Sequence, residues 1–267
     1  MKYLRDVYVA FFKVSMALEM QYRAANVIWL TGVIIEPVVY LAVWIAAAEA
    51  QGGSVEGYTP SDFAAYYLVF SYVNQFTSDW HMWEFQSRIQ FGQFAFSLLR
   101  PVHPIHGDLA ENLAHKLAMQ VPMLPVLFVL GWVFHAHAPV ERWALFSFVP
   151  ALFLAFAVRF VWEWAFALSC FWTTRISAVN RTYFAILMFM SGRVAPVDLL
   201  PRVLQHVGNA LPFRWMVAFP VELAIGRVSP REALLGMAIQ LAWVALGAVT
   251  LALVWPRAVK RFAAVGG

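Results

Sequence analysis

The chain alternates long apolar runs with short polar connections. The runs at 27–48 and 233–255 are the clearest, and each is almost free of charged side chains. A helix needs roughly 20 apolar residues to cross about 30 Å of hydrocarbon. Weaker runs between these two raise the number of predicted membrane spans to six. The six predicted spans are 27–48, 63–79, 117–136, 143–171, 180–194 and 233–255. The second is weak because it ends in polar residues, and the fifth because it is short.

The first residues follow a different pattern. Apolar residues recur at helical spacing between residues 3 and 24, but charged residues interrupt them, so no continuous apolar core forms. The apolar positions are Val7, Phe11, Val14 and Leu18, and the charged ones are Lys13, Glu19 and Arg23. This pattern predicts an amphipathic helix lying in the membrane interface rather than a cleavable signal peptide.

Composition supports a membrane protein. The chain is 62% hydrophobic and 13% charged, whereas soluble domains carry about 25% charged residues. Too few polar residues are present to cover a soluble core, so lipid must cover the apolar surface. The predicted fold is therefore all-α and integral to the membrane, with one domain over 1–267.

The net charge of +4 fits cytoplasmic basic residues better than nucleic-acid binding, and the single Cys170 excludes an internal disulfide.

The distribution of Lys and Arg predicts the orientation. The connection at 49–62 contains three acidic residues and no Lys or Arg, whereas both termini are basic. Positive residues favour the cytoplasmic side. Both termini are therefore predicted to be cytoplasmic, in the cell (inner) membrane. The segment 193–232 is predicted to be external although it carries five arginines.

Two segments differ from ordinary loops. The cytoplasmic segment 80–116 is too long for a tight helix connection and combines aromatic, charged and proline residues, which suits docking onto a partner or lying on the bilayer. The external segment, about 193–231, alternates prolines with apolar stretches. Because helices usually break at proline, it is predicted to form short re-entrant helices between the fifth and sixth spans.

Three ionisable residues lie within predicted spans. Arg159 and Glu163 are four residues apart on one helical face, and Glu36 lies in the first span. A charge within the bilayer is costly, so Arg159 will seek a partner. The partner is either Glu163, as a structural pair that faces the bundle, or Glu36 across helices. Alternatively, these residues form a polar element of a substrate path.

No motif for catalysis is present. The sequence lacks a phosphate-binding Gly-Lys-Ser/Thr loop, a His-Glu-x-x-His helix and a Gly-x-Ser-x-Gly elbow. The loop and span-end histidines are expected to be interfacial rather than metal ligands. No catalytic, cofactor-binding or metal-binding residue is therefore predicted, and the chain is not expected to be an enzyme itself.

Two segments resemble the type 2 ABC transporter permeases, and specifically the short six-span members that have no fused ATPase. LLRPVHPI at 98–105, after a glycine in the first long cytoplasmic loop, is similar to their coupling loop. The residues so matched are Gly92, Leu98, Leu99, Arg100, Pro101 and Pro104. The stretch 191–226 is similar to their hallmark between the fifth and sixth spans. Its matched residues are Gly192, Pro196, Pro201, Pro212, Phe213, Pro220 and Gly226. Arg193 departs from the pattern, which has an apolar residue there.

The resemblance implies a permease subunit of an ATP-driven transporter, with export as the direction. Two permeases, identical or related, pair in the bilayer, and separate ATPase subunits bind ATP and Mg²⁺ below them. This chain then supplies the translocation path and the loop that receives the movement of the ATPase, but no ATP site. The rival hypotheses are an ion-gradient-driven secondary transporter or channel, which would use Glu36, Arg159 and Glu163, and a membrane-embedded enzyme. The sequence does not name the substrate.

Overall fold

The computed structural model describes residues 2–137, 141–173 and 176–262, and these residues are almost entirely helical. A single isolated bridge between Val55 and Tyr58 is the sole β pairing among them. The α-helices are α1 Lys2–Gln21, α2 Arg23–Ala50, α3 Pro60–Thr77, α4 His81–Gln90, α5 Gln93–Leu98, α6 Pro104–Val133, α7 Arg142–Ala167, α8 Ile176–Met190, α9 Arg202–Ala210, α10 Pro212–Met216, α11 Ala218–Ala224 and α12 Pro230–Arg261. Short 3-10 helices cover Leu168–Phe171 and Val197–Leu199.

Four helices among the described residues are long and apolar enough to cross a membrane: α2, α6, α7 with its 3-10 extension, and α12. They coincide with the first, third, fourth and sixth predicted spans. The second and fifth predicted spans correspond to α3, with 18 residues, and α8, with 15 residues. Most of α3 is buried against other helices, which explains why its polar residues need not face lipid. The six-span count remains a prediction.

The centre of the bundle is α7. It contacts α3, α4, α10, α11 and α12. Of its most apolar stretch, 44% is buried inside the chain, against 11% to 18% for the other three candidate spans. Large apolar side chains on those outer helices are exposed, such as Phe128 and Leu234. An apolar surface of this kind is expected where lipid or another membrane helix surrounds the bundle.

The N-terminal helix α1 packs along the first half of α6. The Tyr8 hydroxyl and His106 Nδ1 lie 2.8 Å apart, and Phe11 lies close against Gly107. Val14 and Leu18, which belong to the same predicted apolar stripe as Phe11, are exposed. A helix is present over the predicted residues, and its amphipathic, interfacial role remains a prediction.

The predicted cytoplasmic segment 80–116 consists of α4, α5 and the first turns of α6. Gly92 joins α4 to α5 with a left-handed backbone, φ +70°, a conformation that glycine adopts without strain. The long helix α6 begins at Pro104, and the His103 side chain accepts a hydrogen bond from the Ile105 backbone N–H at 3.3 Å. Since proline is favoured in the first turn of a helix, the last third of this segment is helical rather than a loop.

Prolines and a glycine divide the predicted external segment into short helices. Pro201 precedes α9, Pro212 begins α10, and Pro220 lies within α11. Gly226, with φ +78°, ends α11. Its N–H bonds to the Leu223 carbonyl at 3.2 Å, and the next N–H bonds to the Glu222 carbonyl at 2.9 Å, which together form a Schellman motif.

Candidate functional site

A cavity of about 550 Å³ opens between α2, α3, α8 and the start of α4. Its walls combine aromatic rings with charged and amide side chains. The lining residues are Trp29, Gly32, Glu36, Pro37, Phe70, Asn74, Gln75, Ser78, Asp79, Trp80, Trp83, Arg159, Phe184 and Arg193. Both Glu36 and Arg159, which the sequence singles out as intramembrane ionisable residues, line this cavity, whereas Glu163 lies behind it. The volume and the aromatic lining are typical of a small-molecule site.

Arg159 and Glu163 form a buried pair on α7. The Arg159 Nε donates to Glu163 Oε1 at 2.8 Å, and both side chains are almost completely buried. Arg159 also donates to Asn74 Oδ1 at 3.0 Å, and the Tyr183 hydroxyl donates to Glu163 Oε1 at 3.1 Å. The pair therefore connects α7 to α3 and α8. Of the two partners that the sequence leaves open for Arg159, the structure selects Glu163.

Glu36 is paired with Arg193 instead. The Arg193 Nε donates to Glu36 Oε1 at 2.8 Å, and Nη2 contacts the second carboxylate oxygen. This pair is partly open, with 40% of the Glu36 side chain and 32% of the Arg193 side chain exposed. The contact explains why an arginine stands where the permease pattern has an apolar residue: it neutralises a carboxylate in the first span.

Three aromatic side chains hold the turn that carries Arg193. The Tyr66 hydroxyl donates to the Gly192 carbonyl at 2.7 Å. The Tyr67 hydroxyl at 2.9 Å and the Trp44 indole N–H at 2.8 Å both donate to the Val194 carbonyl. Gly192 itself has φ +82°, and a Cβ at this position would overlap the Tyr66 hydroxyl. The first glycine of the hallmark is therefore required both by backbone conformation and by space.

Gly192→Ala is expected to lower the stability of the purified chain more than Gly52→Ala does. A left-handed backbone costs a non-glycine residue about 1–2 kcal/mol, and this cost applies to both sites because Gly52 has φ +86°. Nothing lies within 4 Å of a Cβ at Gly52, so overlap with Tyr66 is added only at Gly192, at about 1–3 kcal/mol. Thermal unfolding in detergent measures the difference. Equal losses at the two sites would contradict the close packing of Tyr66 on Gly192.

The C-terminal end of α3 is held by buried polar contacts. Asn112 Nδ2 donates to Asp79 Oδ1 at 2.7 Å, and His81 Nδ1 contacts the same oxygen. Lys116 donates to the carbonyls of Gln75 and Ser78. Burial alone would lower the pKa of His81, but the charge of Asp79 and its hydrogen bond raise it to about 9. His81 is therefore protonated at neutral pH and balances a buried carboxylate.

Asp108 connects α4 to α6 and α7. It lies on α6 and accepts hydrogen bonds from Arg88 Nη2 at 2.7 Å and from the Trp164 indole N–H at 2.9 Å. These bonds join α4, α6 and α7 at one buried carboxylate. His81, Asp108 and Glu111 could in principle hold a metal ion, since their ligand atoms lie within 4.8 Å of one another. Arg88 at Asp108 would repel a cation, so these three side chains are better explained as part of an ion-pair cluster than as a metal site.

Residues 91–101, here called the elbow, present apolar side chains outward. Phe91, Phe96 and Leu99 are 76%, 69% and 81% exposed. Phe94 is buried and Leu98 packs against the core, so the elbow is anchored from within.

The predicted coupling residues of the elbow differ in whether they face outward or inward. Leu99, Arg100 and Pro101 face outward, whereas Leu98 is turned inward and Pro104 is partly buried at the start of α6. The Arg100 guanidinium lies 5.3 Å from the centre of the Phe11 ring, which connects the elbow to α1. The sequence analysis did not single out Phe91 and Phe96. The feature that could have indicated them is the alternation of phenylalanine with small and polar residues around Gly92.

The residues matched to the hallmark between the fifth and sixth predicted spans make contacts in separate parts of the structure. Phe213 is buried, with its ring centre 5.5 Å from that of Tyr183, so the hallmark packs on α8, whose Tyr183 donates to Glu163 on α7. Pro196 precedes the 3-10 helix Val197–Leu199. None of the hallmark residues lines the cavity, but Gly192 immediately precedes Arg193, which does.

The chain is similar to a known protein family. A family model described as ABC-2 family transporter protein matches residues 20–266, which is nearly the whole chain. No curated protein matches the chain.

Proposed function

Because the chain belongs to the ABC-2 family of transporter proteins, we propose that it is the permease subunit of an ATP-driven exporter. In this proposal the chain forms the translocation path, and separate ATPase subunits carry ATP and Mg²⁺. A second permease, either a copy or a related chain, completes the path. The family membership and the four apolar helices support a membrane transporter. The direction of transport and the ATPase partner are proposed.

The elbow is the observation that carries the ATPase part of this proposal. Three large apolar side chains are exposed on a short helix and its flanking turns, next to the rigid Pro101. Exposed apolar patches mark interaction sites. Asp108 joins α4, next to the elbow, to α6 and α7, so a force on the elbow is transmitted to the bundle rather than absorbed by a loop.

The cavity supports the proposal that the chain forms the translocation path. It lies beside the α3–α4 junction, because Ser78, Asp79 and Trp80 are part of its lining. Movement of α4 by an ATPase would therefore change the cavity wall directly. The second permease is proposed to cover its open side.

The proposed orientation places both termini and the elbow in the cytoplasm, and 49–62 and 195–231 outside. We expect single cysteines at Glu56 and Lys260, introduced into a Cys170→Ala chain, to react with an impermeant thiol reagent from opposite sides of the membrane. The physical reason is the retention of positive charge in the cytoplasm. Reaction of both cysteines from the same side would contradict this orientation.

Purification of the full-length chain from its own membrane tests the function itself. An ATPase subunit is expected to copurify, and ATP is expected to drive transport in reconstituted vesicles. Transport that instead follows an imposed ion gradient without ATP would favour the rival hypothesis of a secondary transporter or channel.

A further inference from the structure

The cavity walls offer aromatic faces to a ligand. The rings of Trp29 and Trp80 meet edge to face at 5.0 Å, and those of Trp83 and Phe184 stack at 5.3 Å. The three tryptophans remain 40% to 47% exposed. Aromatic rings held by their neighbours and still exposed can stack against another flat ring or cover apolar surface.

The charges in the cavity wall are already balanced. Four charged side chains line it, and within the part of the chain that the structure describes each has an opposite charge beside it. The pairs are Arg193 with Glu36, Arg159 with Glu163, and Asp79 with His81. A ligand with net charge would have to displace one partner and leave the other uncompensated, which is unfavourable away from water.

From these two features we infer that the cavity accepts an amphiphile that carries a flat ring and has no net charge, and that the Glu36–Arg193 pair sets this preference. The inference rests on the proposed function, in which this cavity belongs to the transport path. Of the three pairs, this one is the most exposed. Removing one partner of this partly exposed pair is expected to cost the fold less than it would at the two buried pairs, and thermal unfolding of each variant checks that the chain stays folded.

Reciprocal variants test the inference. Glu36→Gln leaves Arg193 as an unpaired positive charge in the cavity, and Arg193→Gln leaves Glu36 as an unpaired negative charge. Three ligands of similar shape serve as probes: tetraphenylphosphonium, tetraphenylborate and uncharged triphenylphosphine oxide. Titration of tryptophan fluorescence in the purified full-length chain gives each affinity. Comparing variants with the same probes cancels differences in how the probes partition into detergent.

We expect the borate-to-phosphonium affinity ratio to rise at least about tenfold in Glu36→Gln and to fall at least about tenfold in Arg193→Gln. The double variant, Glu36→Gln with Arg193→Gln, should restore the original ratio. Glu49→Gln is the matched control, because it removes an exposed carboxylate from the same helix outside the cavity, and it should change nothing.

Two outcomes would overturn the inference. One is a ratio that stays constant in both single variants, and the other is a shift of the same sign in both. These measurements need neither ATP nor an ATPase subunit. A failed charge preference therefore leaves the proposed function standing, whereas failure of ATP-driven transport in vesicles would remove the function without altering these affinities.

Discussion

Leu99→Asp is expected to lower the affinity of the chain for its ATPase subunit by at least about tenfold while the chain still inserts into the membrane. Leu99 is 81% exposed on the elbow, so the free chain loses little packing when it is replaced. Covering a leucine on docking contributes roughly 2 kcal/mol, and each 1.4 kcal/mol is tenfold in affinity. Burial of the new carboxylate adds a further penalty. Copurification of the ATPase and its hydrolysis rate measure the effect.

Val203→Asp is the matched control for this change. Val203 is an apolar residue of similar exposure, 73%, on α9 of the proposed external segment. It should leave ATPase binding intact. If Leu99→Asp retains a full complement of ATPase and normal hydrolysis, or if Val203→Asp is equally damaging, the elbow is not the docking site.

Glu163→Leu is expected to have the largest effect on stability, about 3–5 kcal/mol, because it leaves the buried charge of Arg159 unbalanced. Arg159→Met combined with Glu163→Leu should recover part of this loss. Recovery will be incomplete because Asn74 and Tyr183 lose hydrogen-bond partners as well. Thermal unfolding of the single and double variants in detergent provides the comparison.

The same variants separate two roles for Arg159. If the pair is only structural, transport should survive in the double variant in proportion to the folded protein present. A double variant that folds and inserts but transports nothing would place Arg159 on the substrate path, which its position in the cavity wall permits. A double variant less stable than Glu163→Leu alone would contradict the charge-balance explanation.

The four long apolar helices and the division of the chain by glycine and proline were predictable from sequence. Length and apolarity determine a span locally, and the backbone restrictions of Gly92 and Pro104 act on their immediate neighbours. The i,i+4 spacing likewise made Glu163 one of two candidate partners for Arg159. These predictions needed no knowledge of how distant segments meet.

What sequence could not predict depends on long-range contact. Glu36 and Arg193 are separated by 157 positions, and no local pattern connects them. The convergence of α4, α6 and α7 on Asp108 likewise follows from packing. Sequence also could not distinguish Leu98, which packs inward, from Leu99, which faces outward, since both are leucines in the same motif and only the path of the short helix separates them.

Site-specific crosslinking at Leu99 tests the central claim most directly. A photoreactive amino acid at this position in the full-length chain, irradiated in the native membrane, is predicted to form a covalent adduct with an ATPase subunit. The same amino acid at Val203 should form none. Absence of an adduct from Leu99 in membranes where the chain copurifies with an active ATPase, or an ATPase adduct from Val203, would contradict the account.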